Sequence, residues 1–346
     1  MSEESQRFPW PAAAATGVGS MPGSDPAQAM AVILGELPDV PHLPELPGRG
    51  AGADMIGRAA TMLVDVPVEM TAGGWKLAAR PGRDQRRAAG LLSADMDAAQ
   101  EAAGDWAGPF KVQACGPWTL AAMLELPRSQ NPALADPGAV ADLTASLAEG
   151  IAAHVAEIRG RIPGATVLLQ LDEPSLPAVL AGSVPTASGL NRVGAVDTTV
   201  TSAALRAVLE AAGAFGLVHC CARRVPFMIM KEAGARAVSF DLSLLRGEEE
   251  QDALAEVVEA GLGILAGVVQ IPERMPGAPR KPRETGQELL ELWHRMGIPA
   301  QRLDQQVVLT PACGLAGTTE AGARATLAHC RETARLLPEL IEEGTP

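Results

Sequence analysis

The chain has no tyrosine at all among its 346 residues. Abundant Ala, Gly, Pro and Arg accompany that gap, the compositional stamp of a GC-rich genome, and it carries little functional information. Basic residues are also short: 28 Lys and Arg stand against 41 Asp and Glu, a formal charge of −13 with a pI near 4.9. A nucleic-acid backbone needs a surplus of Lys and Arg on one face, so that class of partner is excluded, and an anionic membrane surface is disfavoured for the same reason. No apolar run reaches the roughly 18 residues that span a bilayer. Near the start, Glu3, Glu4 and Arg7 precede Pro9 without the basic-then-apolar layout of a signal peptide, so a cytoplasmic location is expected. Cysteine is scarce and odd in number, five in all with one adjacent pair at Cys220 and Cys221, which excludes a disulfide framework and points to reduced thiols or thiolate ligands.

What is present suits a large folded core. Hydrophobic residues make up 47% of the chain and charged residues 20%, and no Ser/Gly linker, low-complexity tract or solenoid repeat divides it. Short apolar runs alternate with Ala/Leu/Glu/Arg-rich stretches of helical spacing, the βα rhythm of a parallel sheet. Eight runs are expected as strands: Ala14 to Ser20, Val40 to Glu45, Phe110 to Cys115, Thr166 to Asp172, Phe215 to His219, Ala235 to Asp241, Gly263 to Val269 and Gln306 to Thr310. Eight closes an α/β TIM barrel, (β/α)₈, and the length fits one such domain. Ala139 to Arg159, Thr201 to Ala212 and Gly322 to Leu337 are expected helices, while Gly48 to Asp105 is a less regular insertion.

In such a barrel the C-terminal strand ends carry the active site. Here those ends hold Ser20, Glu45, Cys115, Asp172 with Glu173, His219 with Cys221, Asp241, Gln270 and Cys313. Imidazole and thiolate are ligands that zinc prefers, so His219, Cys221 and Cys313 are candidate metal ligands converging over the barrel mouth. The competing reading makes Cys115, Cys220 and Cys330 small core residues, and Cys330 falls within an expected helix. His42, His154, His294 and His329 lack ligand-like spacing, and His154 and His329 read as surface or interhelix residues. Arg223 and Arg224 read as a solvated helix start. Gly17 and Gly19 lack the third glycine of a dinucleotide fingerprint.

Five motifs follow one another along the chain: Gly19-Ser20-Met21-Pro22, Gly116-Pro117-Trp118-Thr119, Gln170-Leu171-Asp172-Glu173-Pro174, His219-Cys220-Cys221 and Pro311-Ala312-Cys313-Gly314-Leu315. In that order they resemble the catalytic barrel of cobalamin-independent methionine synthase, in the superfamily that also holds uroporphyrinogen decarboxylase and the coenzyme M methyltransferases. The resemblance implies zinc on His219, Cys221 and Cys313, with Asp241 where the family has a glutamate as fourth ligand. It implies homocysteine as acceptor, its carboxylate met by Ser20 and its ammonium by Asp172, with Glu45 or Glu173 assisting and Trp118 lining the pocket. A simple turn role for Ser20 and helix-start or turn-capping roles for Glu173 and Asp241 compete with these assignments.

Two departures bear on the methyl donor. The additional N-terminal barrel of the complete plant and bacterial enzymes is not expected at this length. Where the family shows Asp-x-His-Ser-Pro, this chain reads Gly267-Val268-Val269-Gln270-Ile271-Pro272-Glu273, without histidine. Methyltetrahydrofolate donates poorly unless its N5 is protonated, so a methylated corrinoid stands beside folate as donor, delivered on a corrinoid protein if the barrel mouth is a docking surface. The rival classes are a uroporphyrinogen decarboxylase-type enzyme, which the negative charge and the His-x-Cys motif oppose, and a non-catalytic zinc- or thiol-binding relative.

Overall fold

The computed structural model describes residues 8–271 and 280–344. Glu3, Glu4 and Arg7, and Pro272 and Glu273 of the donor loop, lie outside the described residues. In chain order the strands are β1 Ala14–Ala15, β2 Val68–Thr71, β3 Gly74–Leu77, β4 Gly108–Cys115, β5 Ala165–Asp172, β6 Phe215–Cys220, β7 Ala237–Asp241, β8 Gly263–Val269 and β9 Val307–Pro311. The helices are α1 Pro26–Glu36, α2 Met55–Met62, α3 Arg83–Ala103, α4 Pro117–Met123, α5 Pro137–Arg161, α6 Leu176–Leu180, α7 Thr198–Ala212, α8 Phe227–Glu232, α9 Glu248–Glu259, α10 Pro282–Arg295, α11 Gln301–Gln306 and α12 Glu320–Gly344.

Seven strands form one parallel sheet in the order β1-β9-β8-β7-β6-β5-β4. The eighth position belongs to the segment 40–45. It bridges Ser20 through Glu45 on one side and Lys111 through His42 on the other, both in parallel sense, and the curled sheet thereby completes a TIM-barrel-like wall. The sequence expectation of a continuous strand from Val40 to Glu45 is corrected here. Pro41 and Pro44 have no N–H to give a ladder, so only isolated bridges form. Likewise the run from Ala14 to Ser20 keeps regular strand geometry only over β1. The insertion 48–105 is more ordered than expected, with α2, the antiparallel β2/β3 hairpin and α3.

Strands β4 to β9 read as apolar runs because both faces are covered. Their outer faces pack on the helices in one large core. Inside the barrel a second, smaller core holds Trp10, Ala14, Val40, Leu168, Phe215, Leu217, Ala237, Leu265 and Val308. Two residues further along the same strands the interior turns polar. The parallel register aligns Gln113 with Gln170, then Cys115, Asp172, His219 and Ser239 in one row toward the C-terminal ends. The candidate site residues are therefore a continuation of the barrel's own side-chain layers. Among the described residues no helix is long and apolar enough to cross a membrane.

Candidate active site

The segment from Gly17 to Ser20 lies on the polar interior. A side chain at Gly17 would meet His42 Nε2 at 2.2 Å, and one at Gly19 would meet Gln113 Cδ at 2.9 Å. Ser20 is joined to the last site loop, since Leu315 N–H donates to Ser20 O at 2.8 Å. A Cβ at Gly314 would sit 2.1 Å from Ser20 Oγ. Glycine after Cys313 is thus what lets that loop cross so close to the serine.

Below this mouth the buried charges balance. Lys111, fully enclosed, donates to Val18 O at 2.8 Å and to Gln113 Oε1 at 3.3 Å. Gln170 Nε2 donates to the same Val18 O at 2.9 Å and to Asp172 Oδ1 at 2.7 Å. Burial, reinforced by Glu45, pushes the Asp172 carboxyl well above the usual range, with Lys111 and Gln170 opposing. Glu45 is also raised by burial, against the pull of Arg58 and Lys111. Lys111 falls to about 8, because its burial outweighs the attraction of Asp172 and Glu45. Arg58 on α2 stands with Nε 3.6 Å from Glu45 Oε1 and pairs through Nη1 with Asp95 on α3. Arg49 closes the cluster on Asp95 at 2.7 Å. Gln170 stands in the sequence only as the first residue of its motif, with no role attached. Lys111, Arg58 and Asp95 were missed by sequence reasoning, and of these only Lys111 left a local trace, as a charge inside an apolar run.

The two thiols expected to bind metal come together. The Cys221 thiol hydrogen-bonds with Cys313, and that shared proton, then burial, raises its pKa far above the ordinary thiol value. His219 is buried, and burial with the charge of Lys111 lowers its pKa to about 3, so the ring is neutral and has a lone pair to offer. Its Nδ1 lies 2.8 Å from Ser239 Oγ, the kind of partner that orients a ligating imidazole. Asp241 caps the following turn: Oδ1 accepts from Ser243 N at 2.9 Å, Ser243 Oγ at 2.7 Å and Gln270 Nε2 at 3.1 Å. Among the described residues no three His, Cys, Asp or Glu side chains are grouped so that they could hold a metal ion. The structure therefore joins Cys221 to Cys313 but does not gather His219, Cys221, Asp241 and Cys313 into one cluster. Two thiols and a neutral imidazole nonetheless have the donor chemistry that zinc takes.

Other expected residues have structural occupations. Glu173 is fully buried, accepting from Trp118 N at 2.9 Å, Thr119 N at 2.7 Å and Thr119 Oγ1 at 2.7 Å. It is a helix-start carboxylate, for α4 after the neighbouring strand β4, and both oxygens are engaged there. Trp118 is 1% exposed and its indole N–H donates to Thr201 O at 3.0 Å, so the ring packs between helices and does not line the mouth. Cys115 and Cys220 are buried, and burial raises both thiols, Cys220 to about 12. Cys330 is buried in α12. His154 is buried on α5, and His329, half-buried, meets Thr285 at 2.9 Å between α10 and α12. Arg223 and Arg224 are exposed.

Comparison with known proteins places this geometry in context. The sequence profile described as "Cobalamin-independent synthase, Catalytic domain" matches residues 13–336. A search of curated proteins finds no match. Among solved structures, a B12-independent methionine synthase from Shewanella sp. W3-18-1, in complex with selenomethionine, superposes with a TM-score of 0.55 at 11% identity, covering 96% of this chain and 99% of that one. At that identity the likeness shows the fold alone. An uncharacterized protein reaches a TM-score of 0.30 at 16% identity over 56% of this chain and 48% of its own. A β-mannanase from the blue mussel Mytilus edulis reaches 0.28 at 10% over 92% of this chain and 91% of its own, and neither of these two carries an argument. The profile spans the strand-end motifs from Ser20 to Cys313, and on that match the chain belongs to the cobalamin-independent synthase catalytic-domain family, the methionine-synthase type of methyltransferase.

Proposed function

We propose that this chain is a zinc-dependent methyltransferase that moves a methyl group to the thiol of homocysteine to form methionine. The observation that carries the reading is the Cys221–Cys313 thiol pair in a barrel of this family, with Asp172 close enough to act electrostatically on both sulfurs. Cys221, Cys313 and His219 would hold the zinc, with Asp241 as fourth ligand once its carboxylate leaves the turn it caps. When bound, zinc lowers the pKa of a coordinated thiol so that it is a thiolate at neutral pH. Asp172 receives the ammonium of the acceptor and Ser20 its carboxylate, while Glu45, set between Arg58 and Lys111, adds negative charge beside them. The donor stretch has no histidine to protonate a folate nitrogen, which favours a methylated corrinoid over 5-methyltetrahydrofolate, since a leaving cobalt needs no proton. Such a donor could arrive on a corrinoid protein docked at the mouth.

Methionine formation from homocysteine should be measured with methylcobalamin and with methyltetrahydrofolate, alongside elemental analysis. About one zinc per chain is expected, falling in Cys313→Ser. Protein prepared without chelator and free of zinc would remove the metal reading. A second reading, a non-catalytic zinc- or thiol-binding relative, is favoured by the engaged state of Asp241. It predicts methionine from neither donor.

A further inference from the structure

The Val18 carbonyl accepts two hydrogen bonds from two neighbouring strands: Lys111 Nζ of β4 at 2.8 Å and Gln170 Nε2 of β5 at 2.9 Å. Both side chains are fully enclosed. Val18 lies two residues before Ser20, in a segment that leaves regular strand geometry after β1 and is otherwise held at its far end, by the Ser20–Glu45 bridge and by Leu315 N–H on Ser20 O. Gln170 reaches in the other direction as well, donating to Asp172 Oδ1 at 2.7 Å. One amide therefore connects the Ser20 arm to Asp172, and the Lys111 ammonium holds that arm from the other side. Gln113 completes the mounting, accepting from Lys111 and donating to Leu43 O at 2.6 Å.

Fold stability does not call for this arrangement. An enclosed lysine carries a desolvation cost, and apolar replacement of buried ion pairs is often neutral or stabilising. On β5, Leu168 two residues before Gln170 belongs to the apolar inner core with Leu217 and Leu265, and β4 sets Lys111 in register with Leu168, so an ammonium stands where an apolar side chain would extend that core. We propose that Lys111 and Gln170, through the Val18 carbonyl, are positioning residues that set the separation of Ser20 from Asp172 and so select a ligand carrying both an α-carboxylate and an α-ammonium. This rests on the reading that Ser20 and Asp172 receive those two groups. A ligand with only one of them gains nothing from the correct spacing. The two residues thus act on selectivity for the intact amino-acid head, without touching the ligand.

The test is calorimetric titration of the full chain with L-methionine, with 4-(methylthio)butanoate, which lacks the ammonium, and with 3-(methylthio)propylamine, which lacks the carboxylate. The wild type should bind methionine at least about tenfold more tightly than either fragment, the scale of one buried hydrogen bond to a charged group. Gln170→Met, which keeps volume but has no N–H to give, should erase most of that advantage while fragment binding stays near wild type. Lys111→Met should do the same, and if it fails to fold, Gln170→Met decides alone. A purely structural role would lower the melting temperature and leave the ratio unmoved. A full methionine advantage in folded Gln170→Met overturns the proposal, as does a wild type that binds the fragments as well as methionine. Neither result depends on turnover, so the methyl-transfer assay judges the functional reading separately.

Discussion

Glu173 illustrates how one side chain can pass for a ligand contact in the sequence and serve the fold in space. Its motif neighbour Asp172 faces the barrel interior, whereas Glu173 turns to the buried backbone donors at the start of α4. Those donors lie 54 and 55 positions earlier in the chain, and no local pattern connects them. Burial outweighs its three hydrogen bonds, and the pKa rises from 4.5 to about 7. Between pH 4.5 and 7 the folded chain therefore keeps a proton that the unfolded chain has released, and stability falls as pH rises through this window, by up to about 3 kcal/mol. Glu173→Gln removes that slope and turns an N–H toward the N–H of Trp118 or Thr119. Its melting temperature should be well below wild type at pH 4.5, with the gap narrowing toward pH 7. A gap that does not change with pH would contradict the assignment. The meeting of Cys221 with Cys313, by contrast, was legible, because motif order and strand-end position coincide.

At the scale of elements, legibility followed the backbone donors. The runs that became β4 to β9 are apolar and nearly free of proline, and they were placed within a few residues. The wall segment 40–45 was misjudged because its two prolines forbid the ladder that its apolar residues suggest. The 48–105 insertion was opaque because its order depends on a buried ion cluster drawn from three separate pieces: Arg49, Arg58 on α2 and Asp95 on α3. Among the described residues Asp95 is the one carboxylate that pairs with both arginines. Asp95→Asn should cost about 3–5 kcal/mol, because it leaves enclosed cations short of a partner, and the denaturant midpoint measures that loss. The same variant should loosen Arg58 from Glu45 and weaken methionine binding, linking the insertion to the barrel mouth. A cost below about 1 kcal/mol, the range of exposed pairs, would mean that water reaches the cluster.

For the whole molecule, two apolar cores with a polar layer at the top of the inner one make the response to acid distinctive. His42 and His154 are enclosed and neutral. Burial, aided by Lys111, lowers His42 to about 3, and burial, aided by Arg58, lowers His154 to about 4. Below pH 6.5 the unfolded chain takes up protons that these folded rings refuse, so stability is lost as pH falls. Together they remove roughly 5 kcal/mol by pH 4.5, opposing what the raised carboxyls of Glu173, Asp172 and Glu45 return over the same range. Acid unfolding followed by circular dichroism should begin below pH 6.5, and His154→Gln should move its midpoint to lower pH. The closure by residues 40–45 has a final consequence. Around most of the hoop each strand is stitched to its neighbour along its length, but here two single stitches suffice, at Ser20 with Glu45 and at His42 with Lys111. Anything that settles across Ser20 and Glu45 pins that gap shut, so amide exchange along residues 40–45 becomes a direct gauge of how much of the protein is loaded.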